Sequence, residues 1–186
     1  MPFLTQDQLK QLGLKSFGKN VLISDKASIY SPHLIEIGDN VRIDDFVVLS
    51  PGTLLKLGSY IHIACYTSLI GKGEIILEDF VGLSGRVSVY SSSDDFSGRS
   101  LTNPTVPNEY KRVRSGKVHI KKHTIIGTSA VILPNVVIGM GCSIYAQALI
   151  KSDCEELGVY SGNPAKKINT RLKNFLEYEK KLIGNS

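Results

Sequence analysis

The sequence predicts an all-β fold, a solenoid of parallel strands wound into a triangular prism. Two observations carry this. Apolar anchors recur every six residues: Phe17, Ile23, Ile29; Ile37, Ile43, Leu49; Leu57, Ile63, Leu69; Leu77, Leu83, Val89. The register resumes as Ile120, Ile126, Ile132, Ile138, Ile144 and Ile150. Four residues after most anchors stands a small or β-branched side chain, such as Val21, Val41, Thr67, Val81, Thr124, Ala130, Cys142 or Ala148. That position lies two residues before the next anchor, and in an extended strand the two point to the same side. Each hexad is therefore a short strand with two inward residues, followed by a tight turn. Three hexads close one coil, and coils stack through backbone hydrogen bonds about 4.8 Å apart. No helix buries side chains at a period of six.

The elements follow in order. Residues 1–16 form an N-terminal helical cap, because Thr5 and Gln8 have the spacing of a capping box before Leu9, Leu12 and Leu14. Residues 17–89 make four coils. Between their triplets the spacing grows from six to eight, at SPHL (31–34), SPGT (50–53) and GKGE (71–74). The same corner then expands into a loop over 90–117, and a loop of that length in a compact domain points to function. Residues 118–157 return to the prism. In the tail, 158–186, Leu172, Phe175, Leu176 and Leu182 fall at helical spacing over Asn169 to Leu182. Caps at both ends are expected, since an open coil exposes backbone edges.

Composition narrows the class. The chain has 186 residues, 42% hydrophobic and 21% charged, the balance of one globular domain. No run approaches the roughly 18 apolar residues of a membrane span. The opening MPFLTQDQLK lacks the basic and apolar regions of a signal peptide. Cys65, Cys142 and Cys154 are odd in number and have no CxxC spacing, so a reducing cytoplasm is the expected compartment. The net charge of +5 is concentrated at the end. From Lys166 onward six Lys and Arg face two Glu, which suits phosphate groups. No basic-aromatic motif accompanies them, so nucleic acid is not an expected partner. The outward residues Ile125, Val131, Val137 and Leu149 form an apolar series that points to a partner surface.

The hexads IGDNVR, IGTSAV and IGMGCS and the terminal GVYSGNPAKKI (158–168) resemble the hexapeptide-repeat acyltransferases. The similarity covers about residues 17–170. It is to the branch of galactoside O-acetyltransferase-like and nucleotide-amino-sugar N-acetyltransferases. The resemblance implies a left-handed parallel β-helix with helical caps. It also implies a homotrimer with active sites between neighbouring prisms, acetyl-CoA as donor, and no metal. HIACYTSLIGKG and TNPTVPNEYKRV resemble members that act on nucleotide-linked 4-amino-4,6-dideoxy sugars for surface polysaccharide such as O-antigen. A sugar hydroxyl remains the alternative acceptor.

Acetyl transfer needs a group to accept a proton and donors for the developing oxyanion. The family often places a histidine in the long loop, but YSSSDDFSG has none. His62 precedes Ile63, so it points outward from the third coil and is the candidate base. Asp94, Asp95 and Tyr66 are the candidate acceptor contacts. His33, His119 and His123 are weaker: the first lies in a corner, the second faces outward elsewhere, the third sits in a turn. On the donor side the resemblance assigns Gly127, Ser129, Ala130 and Ala146 to the pantetheine arm. It assigns Asn163 and Pro164, with Lys166 and Lys167, to the nucleotide end of CoA. Two other classes remain open on the same prism. A zinc carbonic anhydrase needs three converging histidines, and His119 and His123 occupy different hexad positions. A noncatalytic solenoid needs neither the long loop nor the GNPAKK terminus.

Overall fold

The structure is a computed structural model that describes residues 2–184. Met1, Asn185 and Ser186, the outer ends of the expected cap and tail, lie outside them. The prism is built as the hexads predict. The first face stacks Ser16–Phe17, Ile35–Ile37, Leu55–Leu57, Ile75–Leu77, Val118–Ile120 and Val136–Ile138. The second stacks Leu22–Ile23, Arg42–Ile43, His62–Ile63, Gly82–Leu83, Ile125–Ile126 and Ser143–Ile144, then Gly158–Gly162. The third stacks Ser28–Ile29, Val48–Pro51, Ser68–Gly71, Ser88–Tyr90, Val131–Ile132 and Leu149–Ile150. Neighbouring coils pair in parallel and in register: Ile43, Ile63, Leu83, Ile126 and Ile144 stand one above another. This is the parallel β-helix that the resemblance implies.

Anchors and their partners four residues on fill the prism. Ile63, Leu69, Val87, Ile126, Ala130 and Cys142 are fully buried. At most corners the turn between them is made by one residue at positive φ. On the corner joining the first and second faces these are Asn20, Asn40, Tyr60, Phe80 and His123, with φ of 55–61°. Asparagine tolerates this region, whereas aromatic residues rarely enter it. Here stacking offsets the strain. Tyr60 lies on Phe80 at 4.7 Å between centroids and Phe80 on His123 at 4.9 Å, so the corner carries a column of rings. A second column, Phe46 on Tyr66 at 5.0 Å, runs down the next corner.

The third corner carries the insertions. The segment 90–117 is a loop with a stem: Ser92–Ser93 pairs antiparallel with Arg114–Ser115, and a 3₁₀ turn spans Asn108–Tyr110. At the N-terminus helix α1 (Gln6–Gln11) has the expected capping box. The Gln8 amide donates to Thr5 Oγ1, the Thr5 amide to Gln8 Oε1, and Leu9 is buried under the helix.

Two expectations are corrected. The helix predicted over Asn169–Leu182 begins later, as α2 (Phe175–Gly184). Ala165–Thr170 is instead a strand, antiparallel to Gly158–Gly162. The chain reverses at Gly162, whose φ is +100°, and Asn163–Pro164. The returning strand covers an edge that would otherwise leave backbone donors and acceptors open. The apolar series Ile125, Val131, Val137 and Leu149 is also not one stripe. Successive hexads turn from face to face, so Val137 lies on the first face and Ile125 on the second, while Val131 and Leu149 pair on the third.

Truncating a stacked anchor opens a cavity that rigid neighbours cannot fill. Leu83→Ala should lower unfolding free energy by about 2–5 kcal/mol. The outward Ser88→Ala should stay within about 0.5 kcal/mol of the parent. Urea unfolding followed by circular dichroism checks both.

Candidate active site

The second face holds the candidate chemistry. His62 occupies the outward position of its strand, directly beside Arg42 in the coil before and Gly82 in the coil after. Arg42 Nε donates to Asp44 Oδ1 at 2.7 Å, and His62 Nε2 lies 2.9 Å from Asp44 Oδ2. The His62 side chain is 51% exposed and that of Asp44 only 8%. Burial pushes the Asp44 carboxyl up, but the hydrogen bonds from Arg42 and His62 outweigh it and hold the carboxyl below its ordinary range. An ionised carboxylate can only accept, so Nε2 carries a proton, and in the neutral imidazole the lone pair is then on Nδ1. A surface histidine is thereby given a fixed direction and tautomer. Sequence reasoning missed Asp44. The signal was present: Arg42 and His62 hold the same outward position in successive coils, with a carboxylate two residues after the arginine.

Beyond His62 the face is bare. Gly82 has open space where a side chain would stand. A cavity of about 320 Å³ lies over His62, Gly82, Ser84, Gly85 and Ile125. It continues into a second, about 400 Å³, over Ser84, Ile125, Gly127, Ser143, Ala146 and Ser161. Ser84 and Ile125 line both, so one groove runs from the imidazole towards the tail. Ser84 was also missed; the outward Gly82 and the glycine at 85 frame it in the sequence.

The donor-side candidates divide. Gly127 and Ala146 line the groove. A Cβ on Gly127 would stand 2.6 Å from the Ala146 amide nitrogen, so only glycine allows the two turns to pack. Ser129 is a half-buried corner residue at φ 59°. Ala130 is fully buried in the prism, and its amide bonds the Gly127 carbonyl, so its side chain is closed to a ligand. Asn163 and Pro164 form the exposed hairpin turn. Lys166 and Lys167 are adjacent in a strand and so point to opposite sides. Lys166 stands opposite Ser161, a groove residue, and shares its side. Lys167 stands opposite the buried Tyr160, and its Nζ lies 2.7 Å from Glu155.

The acceptor-side candidates lie elsewhere on the chain. Asp94 and Asp95 line a separate cavity of about 670 Å³ at the loop stem, with Arg114, Pro134, Asn135 and Lys151. Asp94 Oδ2 accepts from the Asn103 amide at 3.2 Å and Asp95 Oδ1 from the Ser97 amide at 2.9 Å. The hydrogen bonds from Ser97 hold the Asp95 carboxyl low, with Arg114 and Arg112 adding to the effect. Tyr66 is held in the corner column, with the Arg86 guanidinium 5.7 Å from its ring. One chain thus brings His62 to Asp44 and the groove, and does not bring either to Asp94 or Asp95.

Two of the remaining histidines are each bound to a separate carboxylate. His119 Nε2 lies 2.7 Å from Glu78 and His123 Nε2 lies 2.7 Å from Glu179. His33 is exposed in a 3₁₀ turn. Among the described residues no three His, Cys, Asp or Glu side chains gather as a metal-holding group. The donor set of a zinc carbonic anhydrase is therefore not assembled within the chain. Burial pushes the Cys142 thiol up and the Cys154 thiol to about 12, which leaves both poor nucleophiles.

Residues 117–152 match the family model described as bacterial transferase hexapeptide (six repeats). Over 180 residues the chain is 49% identical to the dTDP-4-amino-4,6-dideoxy-D-glucose acyltransferase of Escherichia coli, covering 96% of this chain and 94% of the relative. The chain belongs to the hexapeptide-repeat acyltransferases. Its fold is also that of AntD, an N-acyltransferase from Bacillus cereus. The D94N variant of AntD, in complex with dTDP and coenzyme A, superposes with a TM-score of 0.97 at 46% identity over all of both chains. The S84C variant, in complex with dTDP-4-amino-4,6-dideoxyglucose and coenzyme A, gives 0.96 at 47% identity over 99% of this chain and 98% of AntD. AntD has also been solved with dTDP and 3-hydroxybutyryl-CoA, at a TM-score of 0.95 and 48% identity over 98% of this chain and 97% of that one. As an acyltransferase of this family the chain uses an acyl-CoA co-substrate.

The Asp44 cluster sets an acid limb for stability. A carboxyl held below its ordinary value of 3.8 stabilises the fold above that value. The contribution is lost as pH falls through the lower folded value. Asp44→Asn should remove that part of the acid slope and leave the rest, as read by urea midpoints from neutral pH downward.

Proposed function

We propose that this acyltransferase N-acetylates a dTDP-linked 4-amino-4,6-dideoxyglucose, with acetyl-CoA in the second-face groove. The observation that carries the reading is the groove itself: two adjoining cavities that share Ser84 and Ile125 and run from a fixed imidazole to Ser161, which Lys166 pairs across the hairpin. The full-length likeness to an E. coli enzyme named for that sugar supports the acceptor. AntD bound to the same sugar supports it further. AntD was altered at a serine numbered 84 and an aspartate numbered 94, and this chain carries Ser84 and Asp94.

The reaction balances without a further reactant. The sugar amine attacks the thioester carbonyl, a C–N bond forms, the C–S bond breaks and CoA leaves as its thiol. The amine must shed a proton on the way. His62 Nδ1 is the acceptor in this reading, oriented through Nε2 by Asp44. Ser84 stands where both cavities meet and supplies a hydroxyl to the oxyanion or the amine. Asp94 holds the amine from the loop of a neighbouring subunit, since within one chain it lies in another cavity. The active assembly is then a homotrimer with sites between prisms. The enzyme acts in the cytoplasm on a precursor of surface polysaccharide, in keeping with three free thiols and a nucleotide-linked acceptor.

The deciding experiment measures CoA thiol release with acetyl-CoA and 3-hydroxybutyryl-CoA. The acceptors are the dTDP-4-amino sugar, its 3-amino isomer and the 4-hydroxy sugar. Turnover with the 4-amino sugar and acetyl-CoA is expected, and turnover with the hydroxyl acceptor alone overturns the reading. His62→Ala should lower kcat by at least about 10²-fold. His119→Ala, whose imidazole is outside the groove, should change it less than about threefold. Lys166→Ala should raise the acetyl-CoA KM several-fold, and Lys167→Ala should move it little. Light scattering on the active protein should give three chains.

A further inference from the structure

The aromatic column on the first corner is interrupted at Gly141, and the C-terminal helix completes it. Above His123 the next corner position is Gly141, at φ +69°. A Cβ there would meet Leu157 at 2.7 Å and the Phe175 ring at 3.0 Å. Phe175, the first residue of α2, fills the vacant step with its ring 4.8 Å from that of His123. Glu179, one turn further along α2, accepts from both Lys122 and His123, the latter at 2.7 Å. Between hairpin and helix, Arg171 Nη1 donates to the His123 carbonyl at 2.8 Å and to the Gly141 carbonyl at 3.3 Å. Its guanidinium lies over the Phe175 ring at 4.7 Å. An end cap needs only to cover the last coil. This helix is instead keyed into a corner and joined by four residues to a hairpin whose other strand lines the groove.

We propose that α2 is a clamp that positions the donor hairpin, with Phe175 and Glu179 as its positioning residues. The proposal rests on reading the second-face groove as the acyl-CoA site. Among the described residues no further strand pairs with the outer edge of Ala165–Thr170, so α2 and Arg171 help to set where it lies. Through its pairing with Gly158–Gly162 it sets Ser161 and Lys166 at the groove. Docking of α2 and donor binding are then linked, and linkage is reciprocal. Loosening the helix weakens acyl-CoA, and acyl-CoA tightens the helix.

Two measurements test this. In the unaltered enzyme, saturating CoA should slow trypsin cleavage at the exposed Lys180 and Lys181 several-fold. Cleavage at an unchanged rate overturns the proposal. Glu179→Gln should raise the acyl-CoA KM about threefold and Phe175→Ala about tenfold, with kcat at saturating CoA and the acceptor KM within twofold of the parent. If Phe175→Ala does not fold, Glu179→Gln decides alone, and an unchanged donor KM in a folded variant overturns the clamp. Ala146→Trp separates the two readings. If it blocks CoA binding while the α2 variants bind normally, the groove stands and the clamp falls. If it leaves CoA binding intact, the groove assignment falls and takes the clamp with it.

Discussion

Everything in this molecule depends on one geometric constraint: each six-residue step must turn a corner, and at most corners a single residue in the left-handed region makes the turn. Without that turn the strand continues, the coil does not close, and the inward anchors lose the neighbours above and below. Asn20 and Asn40 meet the constraint by tolerance, and their side chains hydrogen-bond to each other at 2.9 Å. Tyr60, Phe80 and His123 meet it by stacking, which returns in ring contact what the backbone conformation costs. Gly141 meets it with no side chain and admits Phe175 from another element. One requirement, repeated at one corner, thereby yields a hydrogen bond, a ring column and a docking notch in turn.

The same constraint frees the outward positions. Once two residues per hexad close the core and one closes the corner, the residue before each anchor has no structural duty. On the second face these are Leu22, Arg42, His62, Gly82, Ile125 and Ser143. Their register is set by the core, so a ligand meets them as a ruled row of side chains about 4.8 Å apart. A guanidinium and an imidazole occupy the middle of that row, at Arg42 and His62. Absence of a side chain follows at Gly82. Chemistry on this fold is written in a column perpendicular to the chain, in residues about twenty apart, which is why a local motif search does not find it.

That arrangement decides what the sequence could disclose. The prism, its three faces and the N-terminal capping box were legible, because a period of six and a Thr-to-Gln spacing are local patterns. The column is less legible. His62 could be picked out as an outward residue, but Asp44 and Ser84 become its neighbours only when coils are stacked in register. Ala130 shows the opposite error. Its smallness reads as room for a pantetheine arm, whereas its hexad position already placed it inside the prism. The tail failed for a different reason. Helical spacing of Leu172, Phe175 and Leu176 is real, but an edge strand takes Ala165–Thr170 as its partner, and the helix starts only after four further residues.

Three of the four histidines have been given a carboxylate, and the partners show what each is for. Glu179 belongs to the C-terminal helix and lies with His123 in a buried corner, so that pair joins two elements. Glu78 accepts from His119 and also from the Lys122 backbone amide at 3.0 Å, so that pair ties one coil to the next corner. Asp44 alone is buried beneath an exposed imidazole, with its second oxygen held by Arg42. In the first two pairs the carboxylate binds structure together through the histidine. In the third the carboxylate holds the histidine and the arginine beside it, and the imidazole borders an open groove floored by a glycine. All three imidazoles bond a carboxylate through Nε2; His62 differs in standing exposed beside space for a ligand, which is what the proposed proton transfer needs.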